Sequence, residues 1–359
     1  MSTTEILSNY KNEVKTIETE SQIKESKESF LSGLCGNLNV IVPLSVTQKD
    51  RKCHCFIIAD KEKALVYYSN LCNFLKKEKV YFFPYSFIAP YDDELINNAN
   101  VVMRTEVIQA LLEKTKEKIY IVTYPEGVFE KFPEERIQKE KRTIVNKKDK
   151  IQIGDFVEGL NNNGFHKVDF VVEPGEFALR GNIIDVFSFS YKKPVRIELD
   201  GNDVERLRLF DPNTQLTEDD IKEAKIISNK SLEDKGGNYV SLFNFFNEDW
   251  IIWGDEISLS ANIIDEKNNQ AIELYEEIKN KSKVVLSLPP KKRFLDKKLF
   301  LEELSRFKRV EFGRENKKNN STKIKYNSSP QPKFNKNLSL LVDDLKKHHE
   351  NHYSINISF

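Results

Sequence analysis

Short apolar runs and helical apolar stripes alternate through the first third of the chain. Residues 56–59 form an apolar run that ends at Asp60, a side chain suited to capping a helix N-terminus. Over 61–79 the apolar positions Ala64, Leu65, Tyr68, Leu71, Cys72 and Leu75 recur at steps of three and four, which predicts a helix. Residues 80–83 predict a strand stopped by Pro84, and 101–112 a second amphipathic helix. Residues 119–122 predict a further strand, closed by Pro125 and Gly127. Strand, helix, strand, helix, strand is the order of an α/β domain with a largely parallel sheet. Ahead of it, the first thirty residues alternate Glu, Lys and Ser with sparse apolar positions, and read as an exposed leading helix or loose arm.

After a charged connection at 130–150 the period changes. Between 168 and 210, short runs are separated by turn chemistry at 173–176 (EPGE), 191–194 (YKKP) and 200–203 (DGND). The run 195–199 alternates apolar and charged residues strictly, and 204–209 nearly so, which predicts half-buried strands of an antiparallel meander. From 216 the pattern is helical and mixed, with strand candidates at 250–253 and 283–288. Residues 314–337 carry two prolines and almost no apolar residues and read as a linker. A helix at 340–347 and a strand at 353–357 read as the start of another domain, cut off.

Composition adds limits. The 359 residues allow two or three domains, and 39% hydrophobic content excludes a disordered chain. No run of about 18 apolar residues is present, and the polar N-terminus lacks the order of a signal peptide, so the cytoplasm is the expected location and no membrane partner is expected. The four cysteines, Cys35, Cys53, Cys55 and Cys72, all lie in one stretch, unlike a disulfide-stapled secreted fold. The net charge is zero, yet residues 291–336 hold fifteen Lys/Arg against five Asp/Glu, a local +10. That segment reads either as linker solvation or as a weak, non-specific DNA-phosphate contact.

Candidate chemistry is sparse. Residues 33–40 (GLCGNLNV) sit where a phosphate loop would fall. Such a loop needs a second glycine, a Lys and a hydroxyl where this chain has Leu38, Asn39 and Val40. Gly33, Gly36 and Asn39 therefore mark a degenerate loop, and Asp255-Glu256 a Walker B-like acidic pair with no phosphate to serve. No cofactor is expected. Cys53-His54-Cys55 resembles a metal fragment, but zinc needs four ligands, and the apolar-cysteine reading is preferred, so no metal site is assigned. His348, His349 and His352 read as solvated, and no catalytic constellation stands out. The meander is the most unusual polar region. Arg180 precedes Gly181, Arg196 and Glu198 share a strand face, and Glu205 with Leu207 and Arg206 with Arg208 are expected on opposite faces. A solvated face with cross-strand ion pairs and a recognition surface anchored by Arg180, Phe177 and Phe187 are both open on this pattern.

The pieces 164–169 (GFHKVD), 173–181 (EPGEFALRG), 183–187 (IIDVF), 194–198 (PVRIE) and 210–215 (FDPNTQ), in that order, resemble the N-terminal module of the transcription-repair coupling factor family, Mfd. FPY at 83–85, PYDD at 90–93 and VTYPEG at 122–127 are similar too. The resemblance implies a UvrB-like α/β architecture: a degenerate P-loop-like parallel sheet domain in two segments, with an inserted β-rich antiparallel domain, as in UvrB domains 1a, 2 and 1b. On that frame 1–29 is a helical arm, 30–129 the first segment, 130–217 the insert, 218–313 the second segment, 314–337 a linker and 338–359 the start of a truncated domain. It implies a helix over 39–46, where propensity favours a strand and Pro43 is tolerable only in a first turn. It also implies that the insert binds UvrA through Arg180, with Phe177, Gly181, Arg196 and Glu198 beside it. Ala178 stands where UvrB has arginine, implying fewer charged contacts. The ATPase function is implied to be lost. RNA polymerase and damaged DNA would be reached only through absent domains. The alternative reading is part of an ATP-dependent translocase or helicase whose motor is missing or on another chain.

Overall fold

The computed structural model describes residues 3–47, 50, 52–75, 79–87, 90–91, 96–113, 117–134, 143–227, 238–281, 288–313, 322–335, 337–353 and 355. The chain opens with two helices, α1 (Thr3–Lys11) and α2 (Val14–Glu25). They are not a loose arm. Leu7 and Ile23 are buried in the main core, with Thr16 and Thr19 also buried. Then come β1 (Glu28–Ser32), α3 (Leu38–Thr47), β2 (His54–Ile57), α4 (Lys61–Phe74), β3 (Lys79–Phe83), α5 (Asn98–Leu112), β4 (Ile119–Thr123) and the short α6 (Pro125–Phe129). As expected, Asp60 caps α4, its carboxylate accepting from the Lys63 amide at 2.8 Å.

Helix α3 settles the tension between propensity and resemblance in favour of helix. Pro43, however, lies beyond the first turn. A proline there donates nothing to the carbonyl four residues back, which is Asn39. That carbonyl instead accepts from Tyr67 Oη of α4 at 2.8 Å. Tyr67→Phe should therefore cost about 1–2 kcal/mol in urea unfolding, the penalty of a stranded buried carbonyl. The cost should shrink in a Pro43→Ala background, where the missing N–H is restored. Equal costs in both backgrounds would remove this account.

Next come β5 (Phe132–Pro133), β6 (Thr143–Asn146), α7 (Ile153–Asn162), β7 (His166–Lys167), β8 (Glu176–Arg180), β9 (Ile183–Val186), β10 (Val195–Asp200), β11 (Asp203–Phe210), β12 (Thr217–Asp220), β13 (Glu223–Ile226) and β14 (Tyr239–Val240). Strands β7 to β12 form a six-stranded sheet in sequence order, antiparallel except for the β7–β8 pair. β6 and β13 make a separate hairpin-like pair, and Val145, Ala224 and Ile226 join the insert's core. One expectation fails here. Glu205 is an extra residue between the Glu198–Arg206 and Leu199–Val204 pairs, so the register shifts. Val204 and Leu207 are both buried, and Glu205 is exposed rather than sharing the face of Leu207. A bulge of this kind breaks the two-residue period on which the facing was argued.

The chain then returns to the first domain with β15 (Ile251–Asp255), α8 (Ile257–Lys281), α9 (Pro290–Arg293), α10 (Lys297–Leu304), β16 (Lys308–Phe312) and β17 (Thr322–Lys325), and ends in α11 (Leu338–Glu350). The large sheet has the order β17-β1-β16-β15-β2-β4-β3, all pairs parallel. β17 corrects the linker expectation: inside 314–337 a strand joins the sheet edge, anchored by the buried Ile324. The strand candidate at 283–288 lies, up to 287, outside the described residues, as does most of 353–357.

Two buried polar groups hold this sheet domain. Arg104 of α5 lies between the rings of Phe83 and Phe132, with its guanidinium carbon 4.3 and 4.5 Å from their centroids. It donates to the carbonyls of Pro84 (2.6 Å), Gly127 (2.8 Å) and Glu130 (3.3 Å) and pairs with the Glu130 carboxylate at 3.3 Å. His54 of β2 is fully buried. Its Nδ1 accepts from Trp253 Nε1 at 3.2 Å; an indole can only donate, so the ring proton sits on Nε2, which faces Asp50 at 3.3 Å. Burial lowers the His54 pKa, with Asp50 opposing. The sign follows from linkage. Below about 6.5 the unfolded chain takes up a proton here that the folded chain resists, so stability falls with pH in this window and is flat above it. Urea midpoints at pH 7.5 and 5.5 should show a larger drop for the wild type than for His54→Gln; equal drops would exclude the effect.

Candidate functional site

The first candidate is the degenerate phosphate loop. β1 ends at Ser32 and α3 begins at Leu38, so the loop occupies the strand-to-helix turn where phosphate is held in nucleotide-binding folds. Gly33 adopts φ +75°, which a side chain would strain. Asn39 lies in the first turn of α3, where the motif needs lysine. Asp255 ends β15 and Glu256 follows it at φ +54°. Gly36, Asn39 and Asp255 share one cleft of about 630 Å³ with Asp60, Glu62 and Lys63. Gly33 and Glu256 do not line it. Burial and the neighbouring Glu256 raise the Asp255 pKa, and Lys63 partly opposes them. Three carboxylates against one ammonium make the cleft a poor seat for a polyphosphate. Among the described residues no group of three or more His, Cys, Asp or Glu is placed to hold a metal ion. Cys55 is fully buried, as the apolar reading expects, and its thiol pKa is raised by burial.

The second candidate is the charged face of the insert. Asp185 of β9 is fully buried and receives two arginines. Arg196 of β10 binds it through Nε (2.8 Å) and Nη2 (2.9 Å), stacks on Phe210 at 4.5 Å, and reaches the Gln215 carbonyl at 3.3 Å. The Asp185 hydrogen bond is the main cause that raises its pKa, against burial. Arg180, at the end of β8, pairs with the same carboxylate but keeps 37% of its side chain exposed, and lies 5.4 Å from the ring centre of Phe170. Gly181 turns the chain at φ +61°, with open space where a side chain would project. Glu198 pairs with Arg208 on β11. One carboxylate therefore serves two arginines, and Arg180 is the one left facing solvent.

Phe177 does not belong to this surface. It is fully buried in the insert's core, and Phe187 is 5% exposed, so neither can anchor a partner. β8 buries on both sides, so Phe177 enters one core cluster and its neighbour Ala178 another. Exposed apolar residues on the loops of the insert include Phe170 (61%), Val172 (49%) and Leu216 (68%), which the sequence reading missed. Gln215 ties their two loops together, its side-chain amide donating to Val171 O (3.0 Å) and Pro212 O (2.7 Å). The available signal was the apolar run 170–172 immediately before the turn at 173–176.

Among its described residues, the +10 segment does not form one free surface. Arg293 is buried against the rings of Phe87, Tyr91 and Phe294. Arg306 and Arg309 pair with Glu303 and Glu28, and Lys308 Nζ donates to the carbonyls of Ile23 and Lys24.

Residues 144–232, which carry the paired-arginine face, match the family described as the UvrB interaction domain, and the parallel α/β domain around them is consistent with a UvrB-like architecture. The relatives are transcription-repair-coupling factors. The chain is 25% identical over 194 residues to that of Bacillus subtilis (53% of this chain, 16% of that protein). It is 32% identical over 162 residues to that of Staphylococcus aureus (44% and 13%), and 29% over 161 residues to that of Rickettsia prowazekii (45% and 14%). The aligned part of the chain spans no more than about a sixth of the length of these relatives. Together the matches support an N-terminal module of the transcription-repair-coupling kind. No helix of the described residues is long and apolar enough to cross a membrane.

Proposed function

We propose that the chain is a cytoplasmic, UvrA-recruiting module of transcription-coupled nucleotide excision repair, with no ATPase activity of its own. The insert, proposed to run from about residue 130 through β13, supplies the contact. The observation that carries this reading is Arg180: partly exposed, held in place by a buried carboxylate it shares with Arg196, and beside exposed Phe170, with exposed Val172 and Leu216 on the two loops that Gln215 ties together. A pre-oriented guanidinium beside apolar residues suits an interface hot spot that takes a carboxylate on the partner. Co-purification of UvrA with the wild-type chain and with Arg180→Ala tests it; undiminished capture by the variant would remove the site assignment. RNA polymerase and damaged DNA would be reached indirectly, through other domains.

The acidic cleft and the absent loop lysine support the loss of ATP hydrolysis. Incubation with Mg-ATP should give no phosphate release above background. A rate that Asp255→Asn abolishes would instead support the translocase reading.

A further inference from the structure

Two backbone groups of the degenerate phosphate loop, the Gly33 carbonyl and the Cys35 amide, are engaged by a distant part of the chain. After β17 pairs alongside β1, the Tyr326 amide donates to Ser32 O at 2.8 Å. The Tyr326 carbonyl then lies against Gly33 so closely that a Cβ there would fall 2.1 Å from its oxygen. Two residues on, Ser328 Oγ accepts from the Cys35 amide at 3.0 Å and donates back to the Gly33 carbonyl. The Cys35 thiol faces the Ser328 carbonyl at 3.6 Å. The other end is pinned as well: Tyr326 Oη is 2.6 Å from Thr19 Oγ1 and donates to Lys15 O at 3.2 Å, both on α2.

We propose that residues 322–328 act as an internal strap that takes the place of a phosphate in this loop. Ser328 Oγ stands in for a phosphate oxygen at the Cys35 N–H. A phosphate loop is ordered by its anion through backbone N–H groups. This loop lacks the lysine that would hold the anion, and its cleft carries excess carboxylate. A neutral hydroxyl that both accepts and donates satisfies an N–H and a carbonyl together without adding charge. The strap thereby fixes β1, the loop and α2 as one unit, and keeps the Cys35 amide from an incoming phosphate. This inference does not depend on UvrA binding.

Hydrogen exchange on the full chain tests it. Ser328→Ala should speed exchange of the Cys35 amide by roughly fivefold or more, while Ser328→Thr, which keeps the hydroxyl, should retain protection. Amides of β8 and β9 in the insert should be unchanged in both, which also reports that the variants fold. Saturating Mg-ATP should leave Cys35 exchange in the wild type unaltered. Unchanged Cys35 exchange in Ser328→Ala, or protection of Cys35 by Mg-ATP in the wild type, would overturn the proposal.

Discussion

Replacing Arg180 by alanine is expected to weaken UvrA binding about 30-fold, a loss of about 2 kcal/mol in the range of an interface hot spot. The fold should survive, and the reason lies in Asp185. A buried carboxylate stripped of its partner destabilises a protein strongly. Here Arg196 keeps both of its hydrogen bonds to Asp185 when Arg180 is gone. The thermal midpoint should therefore move little, and the loss should appear in the dissociation rate. Phe170→Ala and Leu216→Ala should weaken binding without unfolding the insert, because both side chains are exposed. Phe177→Ala would be a misleading probe. Emptying a fully buried ring position costs about 3–5 kcal/mol in stability, so lost binding would report lost structure. Normal UvrA capture by a folded Arg180→Ala variant would refute the assignment.

Arg104→Met should cost about 3–5 kcal/mol in urea unfolding, the range for breaking a buried charged network on one side. The side chain is buried among Phe83, Phe132 and three backbone carbonyls, one just after β3 and two from α6 and its C-terminal end. Methionine fills much of the volume but leaves those carbonyls and the Glu130 carboxylate without their donor. Glu130 keeps the Ser86 hydroxyl and amide, which prevents a larger loss. Arg104→Lys should fall between, since one ammonium cannot span all three carbonyls in a planar fork. A loss below about 1 kcal/mol for Arg104→Met would show that the network is not a stabilising hub.

The α/β core was readable because its strands are short apolar runs and its helices carry stripes at steps of three and four, with Asp60 marking one start. Where local pattern misled, a distant contact decided. The β-branched run Val40, Ile41 and Val42 with Pro43 favours a strand in isolation, but Tyr67 supplies the donor that the proline lacks, and the segment is helical. β17 was hidden among polar residues because an edge strand needs only Ile324 inside and can leave Lys323 and Lys325 outside. At the candidate interface the resemblance singled out Arg180, the arginine before Gly181. Phe177 was misread and Phe170 missed for one reason: composition marks an aromatic as an anchor, and only packing tells which aromatic is covered.

The order of strands in the large sheet has a consequence for synthesis. β1 is flanked by β16 and β17, so roughly 280 residues must follow it before either neighbour exists. At ribosomal speeds of about 5–20 residues per second, that strand waits on the order of 15–60 s with both edges unpaired. Among the described residues, strands β6 to β13 pair only with one another and can close as soon as β13 emerges. The emerging chain should thus display a finished insert while its own first strand still lacks partners. During that interval α1 and α2, adjoining β1 in the chain, are placed to shield it from aggregation.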